Sequence, residues 1–192
     1  MPRPAMNTNR AALVEILRRY AAQAVIAPGL IESQKLLYFL QTAGQPLRLN
    51  FKQHHHGPYA DNLRHVLNLV EGHFISGFGD DSARIVEAEP LIVLPDAAEE
   101  AQSFLPDDPD TKDRIQSVLA LTDGFESAYG LELLATVHWT ASHDAAATDE
   151  ELAKSVWDRS PRKARMFTER HVRIALDALR DQGWLASEFV AA

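Results

Sequence analysis

The chain has 192 residues, 46% of them hydrophobic, which is enough to bury one core and sets a single domain as the default. It contains no cysteine, which excludes disulfides, thiolate nucleophiles and thiolate metal sites together. The formal net charge of −8 argues against broad nucleic-acid affinity unless the basic residues gather on one face. No apolar run approaches the roughly 18 residues of a membrane span, and the N-terminal segment lacks an apolar signal core, so the cytoplasm is the expected compartment.

Thr8 is placed to cap a first helix with Leu13, Ile16, Leu17, Tyr20 and Ala24 on one face, and Pro28-Gly29 breaks it. Glu32 to Thr42 predicts a second helix, apolar on nearly every side and closed by Gly44. Leu47, Leu49 and Phe51 alternate with polar residues and predict a short strand. Pro58 suits the first turn of a third helix that carries Leu63, Val66, Leu67 and Val70 and stops at Gly72. Residues 83 to 94 predict a small β-hairpin around Glu89-Pro90. Further helices are predicted over 96–105, 111–122 and 131–140, from a Thr148/Glu151 capping box to Arg159, and over 168–182. The fold expected is mainly α: a compact helical domain with a small β-hairpin, and a winged-helix-like arrangement of the C-terminal helices as the variant.

Charge is unevenly distributed. Between Asp80 and Asp113 stand eleven acids against Arg84 and Lys112, a local sum of −9, whereas Arg159, Arg162, Lys163, Arg165, Arg170 and Arg173 make the later segment basic. The chemistry-bearing patterns are sparse. His54 and His56 of the triplet His54-His55-His56 share a face in an extended chain and could reach one metal with Glu71 or His73, but His-x-His alone is a weak signal, and no metal or other cofactor is expected. No nucleophile elbow and no phosphate-binding glycine loop is present, so no catalytic residue is assigned and an enzyme is not expected. Tyr38, Phe39, Phe51, Tyr59, Phe74 and Phe78 could stack on bases, although their positions beside leucines fit a core better. The basic C-terminal segment could form a helix-turn-helix with residues 168–182 as recognition helix, against the plainer account of a solvated basic face.

At KLLYFLQ, HHHGPYADNLRHVLNLVEGHFISGFGD and the acidic stretch that follows, the chain resembles the C-terminal toxin-binding domain of DarG-type antitoxins. The match is strongest over Lys35 to Asp80. In that toxin-antitoxin family an ADP-ribosyl-hydrolysing macrodomain precedes the toxin-binding domain. The partner DarT is an ADP-ribosyltransferase that uses NAD to modify thymidine in single-stranded DNA. The resemblance implies that residues 1–192 form one toxin-binding domain, with the macrodomain absent from this chain. It implies a non-enzymatic antitoxin that binds and neutralises a DarT-type toxin by filling its DNA site with an acidic, DNA-mimicking surface. His54, His55, His56, Tyr59, Glu71, Asp80, Asp81, Glu87 and Glu89 are the expected toxin contacts. Neither a small-molecule substrate nor a membrane, nor direct nucleic-acid binding, is expected. The alternative is a winged-helix DNA-binding regulator that uses the basic C-terminal segment.

Overall fold

In the computed structural model, residues 2–79, 89–146 and 148–186 are described. Among them are nine α-helices and two short antiparallel hairpins, the mainly-α domain expected from the sequence. The order is α1 (Thr8–Gln23), α2 (Leu30–Thr42), β1 (Phe51–His54), β2 (Gly57–Ala60), α3 (Leu63–Val70), β3 (Ile75–Ser76), β4 (Ile92–Val93), α4 (Pro95–Phe104), α5 (Pro109–Thr122), α6 (Ala128–His143), α7 (Asp149–Asp158), α8 (Pro161–Met166) and α9 (Glu169–Asp181).

Two helices form the centre. In α2 the run from Leu36 to Leu40 is buried without interruption, and in α6 the run from Gly130 to His138 is buried as well. A helix that is apolar on all sides has to be enclosed by others. Accordingly α6 packs against α2, α7, α9 and β2, while α1 closes the other side against α4 and α5. Five of the six aromatic residues in doubt, Tyr38, Phe39, Tyr59, Phe74 and Phe78, are buried, and Phe51 packs half-buried against the same core. The core reading of these rings therefore holds.

Local side chains set the helix starts. Ser127, Thr148, Ser160 and Thr168 each accept a hydrogen bond from the backbone N–H three residues on, which satisfies one of the orphan donors at a helix N-terminus. At α1 the cap is Asn7 rather than the expected Thr8; its Oδ1 accepts from Arg10 N at 2.9 Å. Helices α7 and α9 follow the expected boundaries closely, α6 extends three residues beyond them at each end, and α8 is a helix the sequence reading does not predict.

The middle of the chain departs from expectation. The strand lies at Phe51–His54, later than predicted, because Arg48 takes a left-handed backbone (φ 59) and breaks the extended run. Leu49 is held instead by Gln41, which accepts from its N–H and donates to its carbonyl. Pro58 does not open a helix: it sits in β2 opposite Gln53, and α3 begins at Leu63. The proline is tolerated there because a two-stranded sheet is all edge. Of the hairpin predicted over 83–94, residues 83–88 lie outside the described region. Its C-terminal part, Ile92–Val93, pairs with Ile75–Ser76.

The basic C-terminal segment does not form an exposed recognition helix. In α9 Val172, Ala175, Leu176 and Leu179 are buried against α6 and α7. Several of the cations are spent internally: Arg159 pairs with Asp144, Arg173 with Glu169, and Lys163 is buried on Glu132.

Candidate functional site

The β1–β2 hairpin lies over the junction of α2, α6 and α8, and a cluster of charged side chains pins it there. Glu132, from the buried face of α6, is the hub. It accepts from Arg162 Nη1 at 2.6 Å and Nη2 at 3.2 Å, and from Lys163 Nζ at 2.9 Å. His56 Nδ1 stands 3.6 Å from its other oxygen. Lys35, fully buried in α2, donates to the carbonyl of Pro58 at 2.7 Å, and Gln34 brackets Ala60 by accepting from its N–H and donating to its carbonyl. The hairpin is thus held by backbone bonds from α2 beneath and by charge from α6 and α8 at its tip.

Gly57 makes this approach possible. Its φ is 83°, and a Cβ there would lie 2.8 Å from Thr136 Oγ1 and 3.6 Å from Lys35 Cε, closer to the hydroxyl than non-bonded atoms allow.

The electrostatics follow from burial. Burial pushes the Glu132 carboxyl up, but hydrogen bonds from Arg162 and the charge of Lys163 outweigh it and hold the group down at about 2. Lys35 is lowered to about 7, mainly by burial; Glu132 opposes the shift and Lys163 adds to it. Burial also lowers Lys163 and His56, and His54 is lowered by burial and then by the charge of Lys35. Arg162 and Lys163 together outweigh the one carboxylate they share, so the cluster carries net positive charge in a net acidic protein. With Glu132 held ionised, its bonds to Arg162 and Lys163 fix charge in place, whereas Lys35, lowered to about 7, can exchange its proton near neutral pH.

Above the cluster, the His54 ring lies on Tyr59 (centroids 4.8 Å apart, planes at 31°), and Arg64 Nε donates to the Tyr59 hydroxyl at 3.1 Å. His55 stands edge-on to His56 at 5.1 Å, and its carbonyl faces Arg162 Nη1 at 3.5 Å. Four of the expected contact residues, His54, His55, His56 and Tyr59, are therefore brought together. Glu71 belongs elsewhere: at the end of α3 it accepts from Gly77 N and Phe78 N, each at 3.2 Å, and shapes that turn. Glu89 is exposed beside β4, and Asp80, Asp81 and Glu87 lie outside the described residues. The His54 and His56 rings are 6.2 Å apart, and among the described residues no group of three or more His, Asp or Glu side chains is placed to hold a metal ion. Lys35, Thr136 and Glu132 were not singled out from the sequence, and Arg162 and Lys163 entered only as part of the basic C-terminal segment. The available signal was a charge inside an otherwise apolar helix, Lys35 in KLLYFL and Glu132 in GLELLATV.

Fold and site together define a mainly-α protein that carries a histidine-rich hairpin clamped by a buried ion cluster. Among the described residues no helix is long and apolar enough to cross a membrane. No family model matches the chain. It is similar to proteins named DNA ADP-ribosyl glycohydrolase: 41% identical to that of Thermus aquaticus over 186 residues, 97% of this chain and 50% of the relative. Those of Mycobacterium tuberculosis and Mycobacterium bovis are each 33% identical over 186 residues, 91% of this chain and 53% of theirs. The chain spans about half the length of the curated relatives it matches. These names correct two expectations. A non-enzymatic, DNA-mimicking antitoxin and a winged-helix regulator were expected, whereas the relatives are named as hydrolases, which are enzymes. The physical ground of the first expectation also weakens at the hairpin, where the histidines meet the basic α8 and not an acidic surface.

Proposed function

We propose that the protein works in the removal of ADP-ribose from DNA, as the helical half of a DarG-type DNA ADP-ribosyl glycohydrolase in the cytoplasm. The observation that carries this reading is the 41% identity to the Thermus aquaticus glycohydrolase along 97% of the chain. Within that enzyme, this half forms one folding unit and is the part that meets a DarT-type transferase as protein partner. A hydrolase that reverses a transferase's product gains from proximity to its source, since tethering raises the local concentration of the modified strand.

Two measurements test the reading. A protein spanning the full length of the relatives, incubated with ADP-ribosylated single-stranded DNA, is expected to release ADP-ribose and restore the unmodified strand. This chain, mixed with the transferase at micromolar concentration, is expected to co-elute with it in size-exclusion chromatography. Intact modified DNA after prolonged incubation overturns the first part, and separate elution overturns the second.

A further inference from the structure

We propose that the outer face of the β1–β2 hairpin, continued by α8, is a binding surface for single-stranded DNA. Its centre is the His54 ring, exposed on its outer side and braced from behind by Tyr59 at 4.8 Å. Tyr59 is only 5% exposed and is itself tied by Arg64 at 3.1 Å, so the platform is rigid before any base arrives. A planar ring held in this way stacks on a base without an ordering cost, and stacking accepts any base because each has a π face.

Cations flank the ring. Lys52, two residues before His54 on the same side of β1, is exposed. On the other side Arg162 reaches to 3.5 Å from the His55 carbonyl, and Arg165 follows it one turn along α8, also exposed. Among the described residues, Asp61 acts on His54, and Glu132 is already neutralised by Arg162 and Lys163. Exposed Lys52 and Arg165, with Arg162 and Lys163 outweighing the one carboxylate they share, therefore gather cations on this face although the whole chain carries −8. Cations beside a braced aromatic ring suit a strand whose phosphates and unpaired bases are both accessible, whereas in a duplex the base faces are stacked away. The choice of DNA over RNA rests on the function proposed above.

The test is fluorescence anisotropy of an end-labelled, unmodified single strand of about 16 nucleotides, the upper end of the site size of compact single-strand binders. The chain is titrated at several salt concentrations between about 50 and 200 mM. Phosphate contacts by Lys52, Arg162 and Arg165 give a slope of log affinity on log salt of about −2, and Lys52→Ala with Arg165→Ala reduces it to about −0.7. His54→Ala weakens binding about tenfold without changing the slope, and His54→Phe keeps the affinity. These positions are exposed, and unchanged thermal melting shows that the variants remain folded. The proposal is overturned by absence of binding at about 50 mM salt, by His54→Ala binding as tightly as the unaltered chain, or by a duplex of the same length binding equally well. It is also overturned if free ADP-ribose, added as competitor, displaces the strand from this face at equal nucleotide concentration. Because the DNA carries no ADP-ribose, such a failure leaves the glycohydrolase assay free to succeed, and the reverse holds as well.

Discussion

Replacing Glu132 by glutamine tests whether the hairpin is held by charge or merely by fit. The amide has the shape of the carboxylate but no charge, and its nitrogen presents a donor to Arg162 or Lys163, which are donors themselves. Lys163, with a side chain 1% exposed, then loses its counter-ion without access to water. Breaking one side of a buried pair costs about 3–5 kcal/mol. The same size follows from titration: holding the carboxyl at about 2 instead of 4.5 corresponds to on the order of 3 kcal/mol. For a domain of this length each kcal/mol shifts the melting temperature by about 2–4 °C, so Glu132→Gln is expected to lower it by about 6–20 °C. Because the folded carboxyl is depressed, the stability it supplies is fully present above pH 4.5 and is lost as pH falls through about 2. Differential scanning calorimetry of both proteins over this window should show the gap narrowing toward low pH. Adding Lys163→Met should return part of the loss, since it removes the stranded cation. A drop below about 2 °C, or a double variant less stable than Glu132→Gln alone by the full cost of a second independent lesion, would refute the clamp.

Other outcomes follow from single contacts. Gly57→Ala places a methyl against Thr136 Oγ1 at a backbone angle that side chains avoid, and should cost about 1–3 kcal/mol in chemical denaturation. Pairing it with Thr136→Ala should recover the steric part. Glu71→Ala removes the acceptor of Gly77 N and Phe78 N, so amide exchange at those two positions should accelerate ahead of the rest of the chain, at a cost of about 1–2 kcal/mol. His138, buried beside Tyr38 with Nδ1 at 2.7 Å from its hydroxyl, is lowered from 6.5 to about 4 by burial and then by the charge of His143. The neutral ring's contribution is present above pH 6.5 and is lost as pH falls through about 4, so His138→Gln should flatten the melting temperature across that interval.

The helices were legible where their signals are local: a proline in the first turn at α4, the same with a capping oxygen at α5, and a capping oxygen with an apolar stripe at α7 and α9, much as the sequence suggests. The stretch from Leu47 to Leu63 was misread because its structure is decided at a distance. Pro58 reads locally as a helix start, but Lys35 and Gln34 bind the backbone of Pro58 and Ala60 and draw the segment into β2. The site was half legible. The histidines and Tyr59 were visible as a polar and aromatic run, whereas Glu71, expected as a contact carboxylate, bonds Gly77 N and Phe78 N at the end of α3. Lys35 and Glu132 looked like interruptions of two apolar helices, and the fact that they meet under one hairpin depends on the packing of α2 on α6. The function was obscured in another way: the resemblance pointed to a binding role, whereas the named relatives are enzymes twice this length.

The clamp also sets an order of assembly. Arg162 reaches the hairpin tip from 107 residues further along the chain, and Lys163 meets Glu132 from 31 residues further on. A nascent chain released only as far as α7 already contains Lys35, the histidines and Glu132, but neither Arg162 nor Lys163, the two cations that hydrogen-bond that carboxylate. Contacts between distant segments pay their loop-closure cost before they return any stability. The last bonds to the hairpin tip can therefore form only once α8 has emerged, and a truncation before Pro161 is expected to keep the helices yet cleave faster at the histidine hairpin in limited proteolysis.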